Sequence, residues 1–161
     1  WQKDNGESVY RRGLYTHWQR QYLHPAMLAF DASCREECSA DRVRSNTPLQ
    51  ALALLNDPCE VEAARVFAEK ILKEGGKTDA EKIDFAFTRT LSRSPKPKEK
   101  EVLLNLVVEY RKSLAKDPKA AKEFLSVGDK PASKEFPEEE LAAWGGVARA
   151  LFNLHETITR N

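Results

Sequence analysis

The feature that most constrains this chain is a helix-start grammar repeated along its length. Thr47-Pro48-Leu49-Gln50 puts a hydroxyl at the N-cap, a proline at the first helical position and a glutamine at the third. The Thr47 oxygen can then accept from the Gln50 amide while Gln50 reaches back to the Thr47 amide, so two orphan donors are satisfied together. Asp57-Pro58-Cys59-Glu60 repeats the pattern, and Thr78-Asp79-Ala80-Glu81 and Asp117-Pro118 are variants of it. Pro137 followed by three glutamates opens a further helix, its acids placed near the positive end of the dipole.

Behind each start, apolar residues recur at helical spacing. The run Leu49–Leu55 is hydrophobic nearly all round, which predicts a deeply buried helix. The next helix runs to about Glu74, with Val61, Ala64, Phe67, Ala68 and Ile71 inward and Gly75-Gly76 as its stop. Another reaches about Leu91, with Ile83, Ala86, Phe87 and Thr90 on one side. After the extended Ser94-Pro95-Lys96-Pro97, a helix to about Ala115 carries Leu103, Leu106, Val107, Tyr110 and Leu114. A shorter helix ends near Gly128, and residues 129–137 form a loop. The last helix repeats Leu141, Trp144, Val147, Ala148, Leu151, Leu154 and Ile158. No strand pattern of any length competes. The predicted fold class is therefore mostly α: a compact helical array of about six helices with a long irregular N-terminal segment.

Residues 1–9 read as a connector or fragment edge, and 10–161 as a single helical domain, the C-terminal part of a longer protein. The chain opens on Trp1, its only methionine is Met27, and no signal peptide is visible. Residues 10–20 are aromatic and basic, with a short helix favoured over a strand. His24-Pro25 breaks that segment, and Pro25 starts a short helix through Phe30. Residues 31–46 form a mixed polar loop.

Charge narrows the function classes. Twenty-six basic residues face 25 acidic ones, a net charge of +1, which argues against a general electrostatic grip on nucleic acid. No apolar run approaches the roughly 20 residues of a membrane span. The three cysteines, Cys34, Cys38 and Cys59, cannot all pair internally, and with His17 and His24 they make a poor zinc set.

Candidate chemistry gathers in residues 31–50. Arg35, Arg42 and Arg44 precede a helix start containing Asn46, Thr47 and Gln50, and free backbone donors plus the dipole would favour an anion there. A structural reading is favoured beside it: Asp31 and Arg35 pin the loop, Thr47 only caps, and Asn46 or Asn56 satisfies buried backbone. The stretch Tyr10, Arg11, Arg12, Tyr15, His17, Trp18, Arg20 and Tyr22 offers stacking faces for sugars or bases, with core packing and snorkelling arginines favoured. His17 and His24 are candidate acid–base groups by residue type, but no nucleophile motif accompanies them. Adjacent Glu36 and Glu37 diverge too far for a carboxylate dyad.

Several strings taken together carry a resemblance: Arg11-Arg12-Gly13-Leu14-Tyr15-Thr16-His17-Trp18, Phe30-Asp31-Ala32, Arg35-Glu36-Glu37-Cys38, Arg44 through Pro58, and Ala148 through Arg160. The chain resembles, from about residue 10 to 160, the C-terminal domain of unknown function of large planctomycete secreted, cytochrome-c-type multidomain proteins. The resemblance implies an exported, envelope-associated parent, periplasmic or extracellular, with haem c possible in upstream domains and no cofactor in this fragment. It makes Cys38 the cysteine with a structural or redox role and Cys34 and Cys59 local variations. His155 stands where the family more often has Asp, and Gly145-Gly146 where it has bulkier residues. Each glycine costs about 1 kcal/mol relative to alanine in a helix, so tight backbone packing is expected there. The expected function is a non-catalytic docking or accessory module, with other domains of the same chain as partners. One alternative is an Arg-rich site for an anion or an acidic, sulfated polysaccharide in a composite enzyme; another is a redox-associated module of a haem-bearing parent.

Overall fold

A computed structural model of the 161-residue chain describes residues 6–17, 22–33, 38, 40–41 and 45–159. They are mostly helical, and no β-strand occurs among the described residues. The chain divides into two compact units, Trp1–Ala53 and Leu54–Asn161.

In the first unit, a 3-10 turn, Gly6–Tyr10, lies mostly in the expected connector, and a second, Gly13–Tyr15, stands where a short helix was expected. Helix α1 (Pro25–Ala29) starts as the His24-Pro25 break requires, with His24 Nδ1 accepting from the Ala26 amide at 3.3 Å. Helix α2 (Pro48–Asn56) opens on the expected reciprocal cap: Thr47 N donates to Gln50 Oε1 and Gln50 N to Thr47 Oγ1, both at 3.3 Å.

The expectation of a deeply buried α2 is overturned. Leu49 is 61% and Leu52 53% exposed, while Gln50, at 2%, is the buried residue of this helix. A run that is apolar on every side carries no signal for which side faces in. Here the polar side chain takes the interior because its amide completes a hydrogen-bond node described below.

The second unit holds α3 (Pro58–Glu74), α4 (Asp79–Leu91), α5 (Pro97–Lys116), α6 (Pro118–Leu125), α7 (Glu138–Phe152) and the single-turn α8 (His155–Ile158). Their starts follow the sequence grammar. Asp57 caps α3 by accepting from the Cys59 amide at 2.8 Å, Thr78 and Glu81 form a full capping box on α4, and Asp117 accepts from Lys119 and Ala120. Helix α7 is the hub, packing on α3, α5 and α6. Residues 141–148 of α7 are buried on every side, so the fully interior helix is this one. Around Trp144 gather Ile71, Ile83, Phe87, Val107, Leu141, Val147 and Leu151.

Gly145 and Gly146 explain how α7 is enclosed so closely. A Cβ on Gly145 would fall 2.7 Å from Phe124 Cζ, and one on Gly146 2.6 Å from Tyr110 Cζ. The two glycines are notches that receive rings from α6 and α5, the tight packing expected of them. The last helix is shorter than its apolar repeat suggested. It ends at Phe152, the Asn153 amide bonds back to Arg149 and Ala150, and the chain restarts at His155. Leu154 therefore belongs to the break and is 38% exposed.

Candidate functional site

The loop and helix start at 31–50 are held by a polar node inside the first unit. Asp31 has φ 55°, a left-handed conformation uncommon outside glycine. Its carboxylate accepts from the Ser45 hydroxyl at 2.7 Å, the Ser45 amide at 2.8 Å and Gln50 Nε2 at 3.4 Å. Gln50 Nε2 also donates to Ser45 Oγ at 3.0 Å. The Ser45 hydroxyl, then its amide, and lastly Gln50 hold the Asp31 carboxyl below the ordinary aspartate range.

The sequence-derived site residues fall as follows. Arg35, Arg42 and Arg44 lie outside the described residues, as do Cys34, Glu36, Glu37, Trp18 and Arg20. Thr47 and Gln50 are brought together, and the bonds of both serve the cap and the Asp31 node. Asn46 is exposed, and Cys38 carries an exposed free thiol. His17 is exposed, His24 caps α1, and His155 is the exposed first residue of α8. Among the described residues, no group of three His, Cys, Asp or Glu side chains is placed to hold a metal ion.

The aromatic-basic stretch departs from the core-packing reading. Tyr10, Leu14, Tyr15 and Tyr22 are all exposed, Leu14 at 81%. Arg11 and Arg12 are exposed beside them. Side chains of this size pack inward only where the unit offers an apolar interior, and in the first unit the one buried described residue is Gln50, in a part-buried hydrogen-bond node.

The second unit contains a polar device that the sequence reading missed. Glu62 (4% exposed) and Arg65 (0%) are buried on α3. The Glu62 carboxylate accepts from the Asp129 amide at 2.7 Å and the Lys130 amide at 3.3 Å. Arg65 Nη2 donates to the Lys130 carbonyl. Both main-chain groups of Lys130, which belong to two successive peptide units, are therefore held from α3. Gly128, at φ 98°, lets the loop approach, because a Cβ there would run into Glu62. Farther along α3, Glu69 accepts from the Ser133 amide at 2.9 Å. A cavity of about 340 Å³ lies on this face, bordered by Val66, Lys70, Lys73, Lys130 and Phe136. The only sequence signal was the acid-to-arginine spacing of three on a helix, which is common on solvated faces.

Two arginines tie the remaining helices. Arg111 donates to Asp79 at 2.6 Å and to Glu140 at 2.5 Å, and Glu140 also accepts from Trp144 Nε1 at 2.9 Å. Hydrogen bonds from Arg111 hold both carboxyls below their ordinary ranges. Arg93 bonds Glu99 at 2.9 Å and Glu156 at 2.6 Å while its guanidinium lies 4.8 Å over the Phe87 ring. Its hydrogen bonds lead in bringing Glu99 down to about 2. Glu60 is the reverse case, raised by burial and then by Asp57.

No helix among the described residues is long and apolar enough to cross a membrane. No curated protein and no solved structure matches the chain. The match that does appear is to a family model, over residues 1–107, which takes in the Asp31 node, the Thr47 and Thr78 caps and the side chains of Glu62 and Arg65, while the loop those two hold lies beyond it. By that match the chain belongs to the PSD1 family, described as protein of unknown function (DUF1553).

Proposed function

We propose that this chain is a non-catalytic docking module of an exported multidomain protein, and that residues 10–53 carry the face that meets another domain of the same polypeptide. The observation that supports this reading is the inverted start of α2: Leu49 and Leu52 outward and Gln50 inward. Tyr10, Leu14, Tyr15, Tyr22, Leu28 and Phe30 are exposed in the same unit. Large apolar side chains concentrated in one region mark interaction surfaces in soluble proteins. The non-catalytic part draws on the titratable groups. Among the described residues, the shifted carboxyls other than Glu60 hold arginines, a serine or a helix start.

Hydrogen exchange on residues 1–161 alone and on the full-length product of the gene tests this. In the full-length product, amides of α1 and of Gln50–Ala53 should exchange at least about tenfold more slowly. Equal rates in the two samples overturn the reading.

A further inference from the structure

We propose that the docking face is built for an acidic protein surface, with Arg11 and Arg12 as its charge anchors; this rests on the docking reading above. The contrast among arginines points to it. In the second unit Arg65 and Arg149 each donate to a backbone carbonyl, Arg93 and Arg111 each hold two carboxylates, and Arg89 alone of these five is exposed on a helix without such a bond. Among the described residues, the Arg11 and Arg12 side chains hold neither, and both are exposed. Glu7 is the one acid among residues 6–17.

Their neighbours give the pair its character. Tyr10, Leu14 and Tyr15 are exposed on either side. The Met27 methyl lies 3.8 Å from where a Cβ on Gly13 would stand, so this segment sits against α1, whose Leu28 is also exposed. Arginine and tyrosine beside aliphatic groups is the composition of interface anchors. A guanidinium takes a carboxylate bidentately, so unpaired arginines select an acidic partner. Leu14 and Leu28 favour a protein over a polysaccharide, because sugar rings stack on aromatic faces and leave aliphatic side chains unsatisfied.

The test compares exchange in the full-length product with and without R11Q/R12Q, from about 0.05 to about 0.5 M salt. Both arginines are exposed, and far-UV circular dichroism confirms that the variant is folded. Protection of residues 13–16 and α1 should fall about tenfold in the variant, and should fall with salt in the unmodified protein only. Protection that survives both changes overturns the charge anchors and leaves docking intact. Absence of protection in the unmodified full-length product overturns docking itself. If residues 1–161 bind dextran sulfate through Arg11 and Arg12 while the full-length product leaves them unprotected, the partner is a polyanionic saccharide and the acidic-protein assignment is wrong.

Discussion

The two units solve opposite problems with the same kinds of residue. Among the described residues from Leu54 on, the core is apolar and the arginines are engaged by carboxylates or carbonyls, Arg89 apart. Among the described residues between Trp1 and Ala53, a half-buried carboxylate and hydroxyl meet the buried Gln50 amide, and Leu14, Leu28, Leu49, Leu52 and three tyrosines are exposed. A hydrogen-bond node fixes geometry with few residues, since each bond is directional, but contributes only about 1 kcal/mol net per bond. Apolar burial is non-directional and larger in sum. The second unit thus has the means to be stable alone, and the first has the means to hold a shape and offer a surface.

Trp144→Ala should break that contrast hardest. The indole is fully buried at the hub, and its loss should cost about 4 kcal/mol in urea unfolding. A loss below about 1 kcal/mol would mean that α7 is not the hub. Next comes Arg111→Met, which strands Asp79 and Glu140 and should cost about 1–2 kcal/mol, discounted because the guanidinium is one-third exposed. Its pH dependence has a definite sign. Both carboxyls are depressed in the folded state, so their contribution is present above the unfolded value of about 4 and is lost as pH falls through the folded values. The gap between wild type and variant should therefore close on acidification below about pH 4; a constant gap would show that Arg111 acts by packing alone.

Smaller effects sharpen the comparison. Thr78→Ala removes the α4 cap and should lower global stability by about 1 kcal/mol, read from the urea midpoint. Leu52→Ser should change the stability of residues 1–161 by less than about 0.5 kcal/mol, since the side chain is half exposed. A large loss there would show that α2 has a packed outer face and that the contrast is misdrawn.

What was readable in the sequence follows the same division. The starts of α2, α3, α4 and α6 were legible because capping is local: Thr47 with Gln50, Asp57 with Pro58 and Thr78 with Glu81 act over three residues. Stripes such as Val61, Ala64, Ala68 and Ile71 were legible because neighbours repeat. The facing of α2 was not, since Leu49–Leu55 looks alike from every side. The break at Asn153 was hidden because Leu154 and Ile158 continue the apolar rhythm past it. Of the candidate site, the Thr47–Gln50 pair was legible as a cap. Its link to Asp31 through Ser45 was not, because those residues are 14 apart with no pattern between them. Glu62 and Arg65 escaped notice because their partners are main-chain atoms near residue 130, which no side-chain pattern announces.

That last feature bears on how the loop can change. Glu62 and Arg65 hold the backbone of Lys130 on both sides of its α-carbon, by its N–H and its C=O, and neither bond involves the lysine side chain. The chemistry displayed at position 130 is thereby uncoupled from the loop's placement. Any residue that supplies an amide hydrogen can occupy it, and proline cannot. Gly128 is the reverse, free of side-chain chemistry yet fixed by geometry. Sequence variation along this loop should therefore be read position by position from the backbone outward: a display site at 130, and a hinge pin two residues before it.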